Sequence, residues 1–233
     1  MEMIVQCGIS LAELFWWSFD LLFHLDDELK KIVADYGVSS HWILFAVVFC
    51  ETGLIVTPFL PGDSLLFAAG AFAGAGSLRL DWLLPMLIVA AIVGDTVNYL
   101  VGRWIGTRAF NGSVPFMRQE HLEKTQRFFD CYGGKTIILA RFVPIVRTFA
   151  PFVAGIGGMN YRRFAIYNVV GGIGWVLIFT MLGYYFGTLS VVEKNFELVM
   201  VAIVGVSLLP PIWEWIQHRR VRQPLVNADL SGR

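Results

Sequence analysis

The sequence predicts an all-α polytopic membrane protein, with two opposed re-entrant helical hairpins and about three transmembrane helices in an inverted repeat. Three observations lead to this fold class. Of the 233 residues, 56% are apolar and only 15% are charged, against about 25% charged in an average soluble domain. Several apolar runs reach the ~20 residues that a helix needs to cross a bilayer. Two other apolar runs are interrupted by proline, glycine and charge, which is typical of hairpins that do not cross.

The membrane domain is predicted over residues 36–217, between an N-terminal segment at 1–35 and a cytoplasmic tail at 218–233. In order, its elements are a hairpin at about 42–76, a span at about 83–105, a hairpin at about 136–157 and spans at about 164–186 and 198–216. In the N-terminal segment, residues 9–25 are short for a span and carry Glu13 and Asp20. A helix lying in the membrane interface is therefore favoured there, with a span as the alternative.

The hairpins are predicted from residues that break apolar helices. Pro61 and Gly62 interrupt the first run, and only about a dozen apolar residues follow, too few to cross. In the second run, Pro144 and Pro151 remove backbone donors and kink the helix. Such broken backbone is tolerated at membrane depth only where protein or a water-filled cavity covers it. We therefore expect each run to enter and leave the membrane on one side.

Charge supports this topology. The 18 basic and 18 acidic residues cancel, so the whole chain has no electrostatic preference for nucleic acid. With both hairpins re-entrant, however, 12 of the 18 basic residues fall on one face of the membrane, together with the C-terminus. Because short loops rich in lysine and arginine stay in the cytoplasm, the sequence predicts a cytoplasmic C-terminus.

The two hairpin-plus-span units share small-residue motifs. Gly102-x-x-x-Gly106 and Gly183-x-x-x-Gly187 end the two spans, which favours a diverged internal repeat. Asp95 and Tyr99 lie on the same helix face as the first motif. Small residues on a membrane helix indicate close packing, so Asp95 fits a structural role as well as a functional one.

Five charged residues lie in apolar surroundings: Glu51, Asp63, Asp95, Arg141 and Arg147. Each costs a few kcal/mol in the membrane unless it is paired or hydrated. Arg141 and Arg147 flank a proline at a hairpin tip, and their forked guanidinium groups suit the oxygens of a phosphate. Glu51 and Asp63, on the opposing hairpin, are candidates to take up and release a proton. Salt bridges that only hold the hairpins together are the alternative.

Other chemistry has little support. The four histidines form no HxxxH or HExxH pair and the three cysteines form no CxxC pair, so we expect no metal and no cofactor. GxSxG and GxxxxGK[ST] motifs are absent from the sequence. Ser64 follows Asp63 but lacks a histidine partner in the apolar runs. We therefore expect that the protein is not an enzyme.

Four motifs, in order, resemble the DedA family, also called SNARE-associated or VTT-domain membrane proteins. They are Glu51-Thr-Gly-Leu, Phe59-Leu-Pro-Gly-Asp63-Ser, Gly94-Asp95-x-x-x-Tyr99-x-x-Gly102-Arg103 and Arg141-Phe-x-Pro-x-x-Arg147-Thr-x-x-Pro151. The resemblance covers about residues 36–217. It implies a bacterial inner-membrane transporter that returns polyprenyl phosphate lipid carriers, typically undecaprenyl phosphate, after cell-envelope synthesis, and that depends on the proton motive force.

The acidic and basic residues on which that family relies correspond to Glu51, Asp63, Arg141 and Arg147. The leading hypothesis is a flippase in which the arginines bind the lipid phosphate while the acids carry a proton or balance charge. Asp95, Tyr99 and Arg103 are further candidates in the matching motif. The expected partners are the bilayer, a lipid phosphate and protons, and a homo-oligomer is compatible with these features. Two alternatives stay open: an ion or proton transporter that maintains the membrane potential, and a structural protein of envelope or division assemblies.

Overall fold

The computed structural model describes residues 31, 35–54, 62–110 and 134–190, together with single residues between 192 and 205. Every regular element in these ranges is helical. After a 3-10 turn at Gly37–Ser39, the α-helices are α1 (Ser40–Gly53), α2 (Gly62–Gly74), α3 (Leu80–Phe110), α4 (Lys135–Ala140), α5 (Pro144–Ile156) and α6 (Tyr161–Phe186). The all-α class is thereby confirmed. The N-terminal segment up to residue 30, the tail predicted at 218–233 and most of the predicted span 198–216 lie outside the described residues.

Helix length separates two kinds of element. Helix α3 has 31 residues and α6 has 26, and both contain stretches long and apolar enough to cross a membrane. At 1.5 Å per residue, even α6 reaches about 40 Å, more than the ~30 Å hydrocarbon core. These two candidate spans coincide with the spans predicted at 83–105 and 164–186. By contrast, α1, α2 and α5 have 13 or 14 residues. At about 20 Å, none of them crosses alone.

Both long helices extend beyond the predicted spans because polar residues can start and end a helix outside the apolar stretch. Helix α6 begins three residues earlier than predicted, at Tyr161. The side chain of Asn160 accepts a hydrogen bond from the backbone N–H of Arg162 at 3.0 Å. This N-cap satisfies a donor that the first turn would otherwise leave free.

Two pairs of short helices precede the long helices: α1 and α2 come before α3, and α4 and α5 come before α6. The second helix of each pair ends in the same motif. After α2, the N–H of Ser77 bonds to the carbonyl oxygen of Phe72 at 2.9 Å, and Gly76 has φ +80°. After α5, the N–H of Met159 bonds to the carbonyl oxygen of Ala154 at 3.1 Å, and Gly158 has φ +69°. Both are Schellman C-caps, in which a glycine adopts the left-handed conformation that other residues avoid. Each cap turns the chain directly into a long helix.

The two helices of each pair pack on different long helices. Helix α1 packs on α3 and α4 packs on α6, so each first helix contacts the long helix of its own unit. The second helices cross over, because α2 packs on α6 and α5 packs on α3. A Cβ at Gly183 would overlap the carbonyl oxygen of Phe67 in α2, and one at Gly102 would overlap that of Phe152 in α5. The two GxxxG motifs therefore permit equivalent backbone-to-backbone crossings.

The packed helices bury polar residues and expose apolar ones. Along α3, exposed apolar residues recur at helical spacing, at Val89, Val93, Val97, Leu100 and Trp104. Two polar side chains in the middle of the same helix are instead buried, Asp95 at 3% and Asn98 at 0% exposure. An apolar outer surface around a polar interior is expected for a protein whose solvent is lipid.

Candidate functional site

One arginine of the second helix pair reaches two carboxylates of the first. Arg147 lies in the first turns of α5, where its N–H bonds to the carbonyl oxygen of Val143 at 2.9 Å. Its Nη1 donates to Oδ1 of Asp63 at 2.5 Å, and its Nη2 donates to Oε1 of Glu51. The exposed fractions of Arg147, Asp63 and Glu51 are 8%, 4% and 2%. Helices α1, α2 and α5 thus meet at one guanidinium, and we call these three residues the carboxylate cluster.

The Glu51 carboxylate lies against the first residue of α2. Its Oε1 accepts a hydrogen bond from the backbone N–H of Gly62 at 3.0 Å. A Cβ at Gly62 would overlap both carboxylate oxygens, so this close approach requires glycine, in addition to the helix-breaking role predicted for it. The other oxygen, Oε2, is buried and has no hydrogen-bond partner in the described part of the chain.

The second buried arginine lies in the turn between α4 and α5 and is paired with the long helices. Nη2 of Arg141 donates to Oδ2 of Asp95 in α3 and, at 2.5 Å, to Oδ1 of Asn168 in α6. Asn168 in turn donates to the carbonyl oxygen of Ile92 at 3.0 Å and to Oγ1 of Thr96 at 3.3 Å. We call Arg141, Asp95 and Asn168 the Arg141 cluster. The two arginines therefore have different carboxylate partners.

Trp175 of α6 lies between the two clusters. Its Nε1–H donates to Oδ1 of Asp63 at 2.7 Å, on the same oxygen that Arg147 contacts. The Cζ atoms of Arg147 and Arg141 lie 5.0 Å and 5.9 Å from the centroid of its ring system. These distances fall within the ~6 Å range of cation–π attraction. One fully buried indole thus contacts both arginines and one acid.

Asn98 links the two short helices that carry acid and arginine. From α3, its Nδ2 donates to the carbonyl oxygen of Thr148 in α5 at 2.7 Å and to that of Thr52 in α1 at 3.3 Å. These carbonyl groups belong to the residues that follow Arg147 and Glu51. A single amide therefore fixes the distance between the backbones that position the carboxylate cluster.

The net charge of the interior differs between the clusters. The carboxylate cluster contains two acids and one arginine, whereas the Arg141 cluster contains one of each. With all groups ionised, the first has a formal charge of −1 and the second is neutral. Among the described residues, no group of three His, Cys, Asp or Glu side chains could hold a metal ion.

Two of the further candidates lie apart from the clusters. Tyr99 is buried in a separate hydrophobic core, where it stacks on Phe164 with ring centroids 4.3 Å apart. Its hydroxyl donates to the carbonyl oxygen of Met159. Arg103 is exposed on α3, one turn further along. Through these contacts, Tyr99 packs against the turn that follows α5.

The predicted helix breakers fall at different points of the fold. Pro144 is the first residue of α5, where a proline is tolerated because that N–H has no partner in the helix. Pro151 lies inside α5 and cannot donate to the carbonyl group of Arg147, four residues earlier. Pro61 lies outside the described residues.

Sequence reasoning missed three residues of this interior: Asn98, Asn168 and Trp175. None carries a charge, and charge in apolar surroundings is the signal that selects the candidate residues in the sequence. An amide in such a span is a usable signal, because a buried polar group must find hydrogen-bond partners. For Trp175, a single indole among eight tryptophans, no comparable signal exists in the sequence.

Comparisons with known proteins identify relatives of this chain. The VTT domain matches residues 60–185. Protein DedA of Escherichia coli (strain K12) is 53% identical to the chain over 211 residues, which cover 89% of this chain and 96% of that protein. The chain belongs to the DedA family. Inner membrane protein YqjA of the same organism is 35% identical over 173 residues, which cover 74% of this chain and 77% of YqjA. No solved structure matches.

Membership of the DedA family confirms the resemblance that the four motifs carry and makes the chain a membrane protein. An uncharacterized membrane protein of Mycobacterium tuberculosis (strain ATCC 25618 / H37Rv) is 39% identical over 189 residues, covering 80% of this chain and 83% of that one. The segment matched by the VTT domain contains both arginines, Asp63, Asp95 and Trp175, whereas Glu51 precedes it.

Proposed function

We propose that this DedA-family chain is a proton-coupled flippase for a polyprenyl phosphate lipid carrier of the undecaprenyl phosphate class. One observation carries the proposal: Arg147 is buried and shared between two carboxylates on two other helices. In this role the protein resides in the bacterial inner membrane with a cytoplasmic C-terminus and supports cell-envelope synthesis.

Arg147 suits a phosphate because its guanidinium presents parallel N–H donors. Nη1 and Nη2 bind one oxygen each of two different acids, a pattern that two oxygens of one phosphate can replace. The exchange requires the acids to release the arginine. Protonation of Glu51 or Asp63 weakens an ion pair and brings the formal charge of the carboxylate cluster from −1 to zero. Uptake of a proton therefore favours binding of the phosphate.

Helix lengths support access from both faces of the membrane. At about 20 Å, α2 and α5 extend only part of the way through a ~30 Å core. Since they follow α1 and α4 in hairpin order, both pairs fit re-entrant hairpins, and the ends of α1, α2 and α5 that face the hairpin tips lie at the carboxylate cluster. The phosphate would pass between these tips, while the prenyl chain stays in lipid against the exposed apolar faces of α3 and α6.

Translocation in liposomes tests this function. Purified protein is reconstituted with undecaprenyl phosphate, and its appearance in the opposite leaflet is followed with and without an inward proton gradient. We expect Arg147→Ala to abolish translocation. Arg79→Ala is the matched control, because Arg79 forms an exposed ion pair with Asp81 away from the clusters and its loss should have no effect. Equal transport by wild type and Arg147→Ala would overturn the proposal.

An internal brace is the second candidate, favoured by the fact that each buried arginine joins separate helices. If bracing is the whole role, exchanging the charges of Asp95 and Arg141 should restore function that either single reversal removes. The third candidate, a proton or ion transporter without lipid substrate, is favoured by the excess acid in the carboxylate cluster. Proton flux in liposomes that lack polyprenyl phosphate would support it against the flippase.

A further inference from the structure

Two donors converge on one oxygen of Asp63. Arg147 approaches Oδ1 through Nη1 at 2.5 Å, and Trp175 approaches the same atom through Nε1 at 2.7 Å. The two donors come from different helices, α5 and α6. The indole thus duplicates a contact that the arginine already makes.

The two donors differ in freedom of movement. The guanidinium ends a long flexible side chain and can turn toward another anion. The indole has two side-chain torsions and is fully buried within α6, so it stays where it is when a neighbour moves. If Arg147 leaves Asp63 for a phosphate, the carboxylate keeps a donor that cannot leave with it. A buried carboxylate that loses its donors is costly, so this second donor makes the release of the arginine easier.

The ring system supports the same exchange. Cζ of Arg147 lies 5.0 Å from the ring centroid, so the cation has an attractive surface whichever anion it faces. Cζ of Arg141 lies 5.9 Å away, at the edge of the same range. The indole therefore attracts both guanidinium groups without competing with them for an anion.

We propose that Trp175 is a positioning residue that holds Asp63 when Arg147 releases it, and so allows Arg147 to pass between carboxylate and phosphate. The phosphate step rests on the proposed function. The holding of Asp63 does not, and it can be tested without any ligand.

The ligand-free test is a double-mutant cycle on thermal stability in detergent. Trp175→Phe keeps an aromatic ring and removes the N–H. We expect its loss of Tm to be larger with Arg147→Met than in the wild type, because the indole is then a larger part of the support of Asp63. With Asp63→Asn the loss should be smaller, since a neutral acceptor gains less from the N–H. A residue that only fills space gives the same loss in all three backgrounds, and that result would overturn the proposal.

Two further variants secure this cycle. Trp82 is exposed on α3, so Trp82→Phe is the matched control and should change Tm equally little in every background. If Trp175→Phe does not fold, a benzothienylalanine introduced at position 175 replaces the N–H by sulfur with nearly the same shape. The same inequality among backgrounds is then expected of it.

The ligand test is binding of undecaprenyl phosphate to the purified protein in micelles. Trp175→Phe should weaken binding about tenfold, the effect of one hydrogen bond to a charged group. In the Asp63→Asn background it should weaken binding far less. If wild type and Trp175→Phe bind equally well, Trp175 does not assist the passage of Arg147 from Asp63 to the phosphate, and the proposed function still stands. If the wild type does not bind, the proposed function fails, and the stability cycle decides the role of Trp175 alone.

Discussion

Replacing the buried pair of Arg141 and Asp95 by apolar residues should separate stability from function. Both residues are 3% exposed, so Asp95→Leu leaves a buried cation without its counter-ion. Such losses cost about 3–5 kcal/mol. Because Asn168 at 2.5 Å and the carbonyl oxygen of Ala91 at 3.5 Å still accept from the same Nη2, we expect the lower end, about 3 kcal/mol. Adding Arg141→Met removes the stranded charge and should recover most of that loss, since apolar replacements of buried pairs are often neutral.

The measurement is reversible unfolding in mixed detergent micelles, with undecaprenyl phosphate translocation measured on the same preparations. The double variant should be stable and inactive if the arginine serves the lipid phosphate. A double variant that is stable and active would refute a functional role of Arg141. A change below about 0.5 kcal/mol for Asp95→Leu, the range of ordinary surface substitutions, would refute the pairing itself.

The remaining predictions concern close contacts and topology. Gly183→Ala should destabilise the protein by about 1–3 kcal/mol in the same unfolding assay, because its Cβ would overlap the backbone of α2, whereas Gly174→Ala, with open space around it, should not. Gly62→Ala should push the adjacent carboxylate away and lower translocation more than stability, measured on one preparation. The topology can be tested by cysteine labelling in a chain without its native cysteines. Ser77→Cys should react with a membrane-impermeant thiol reagent from outside intact cells, whereas Arg162→Cys should react only after permeabilisation. Labelling of both positions from one side would contradict the hairpin topology.

The helices were predictable because their causes are local. Length and composition alone identify the two long apolar helices, and the cost of charge in lipid identifies the five residues that need partners. The same logic fails at helix ends. The predicted span begins at residue 164, whereas the helix begins at Tyr161, directly after the Asn160 cap.

Partner choice was not predictable. The sequence predicts one phosphate site for both arginines but not their acidic partners: Arg147 pairs with Glu51 and Asp63, whereas Arg141 pairs with Asp95. The partners in these contacts are 27 to 96 residues apart in the sequence. Their pairing therefore depends on how the short helices cross over between the long ones. No local periodicity contains that information.

The exchange of α2 and α5 between the long helices has a consequence for how the protein can assemble. Helix α5 follows its packing partner α3 in the chain, but α2 emerges long before its own partner: α2 must wait for α6, which ends at Phe186, more than a hundred residues later. During synthesis its glycine-lined face therefore stays uncovered or finds a substitute, such as an insertase or the matching face of another nascent chain. Co-translational insertion, rather than the finished structure, is the stage at which this protein is most exposed to mispairing.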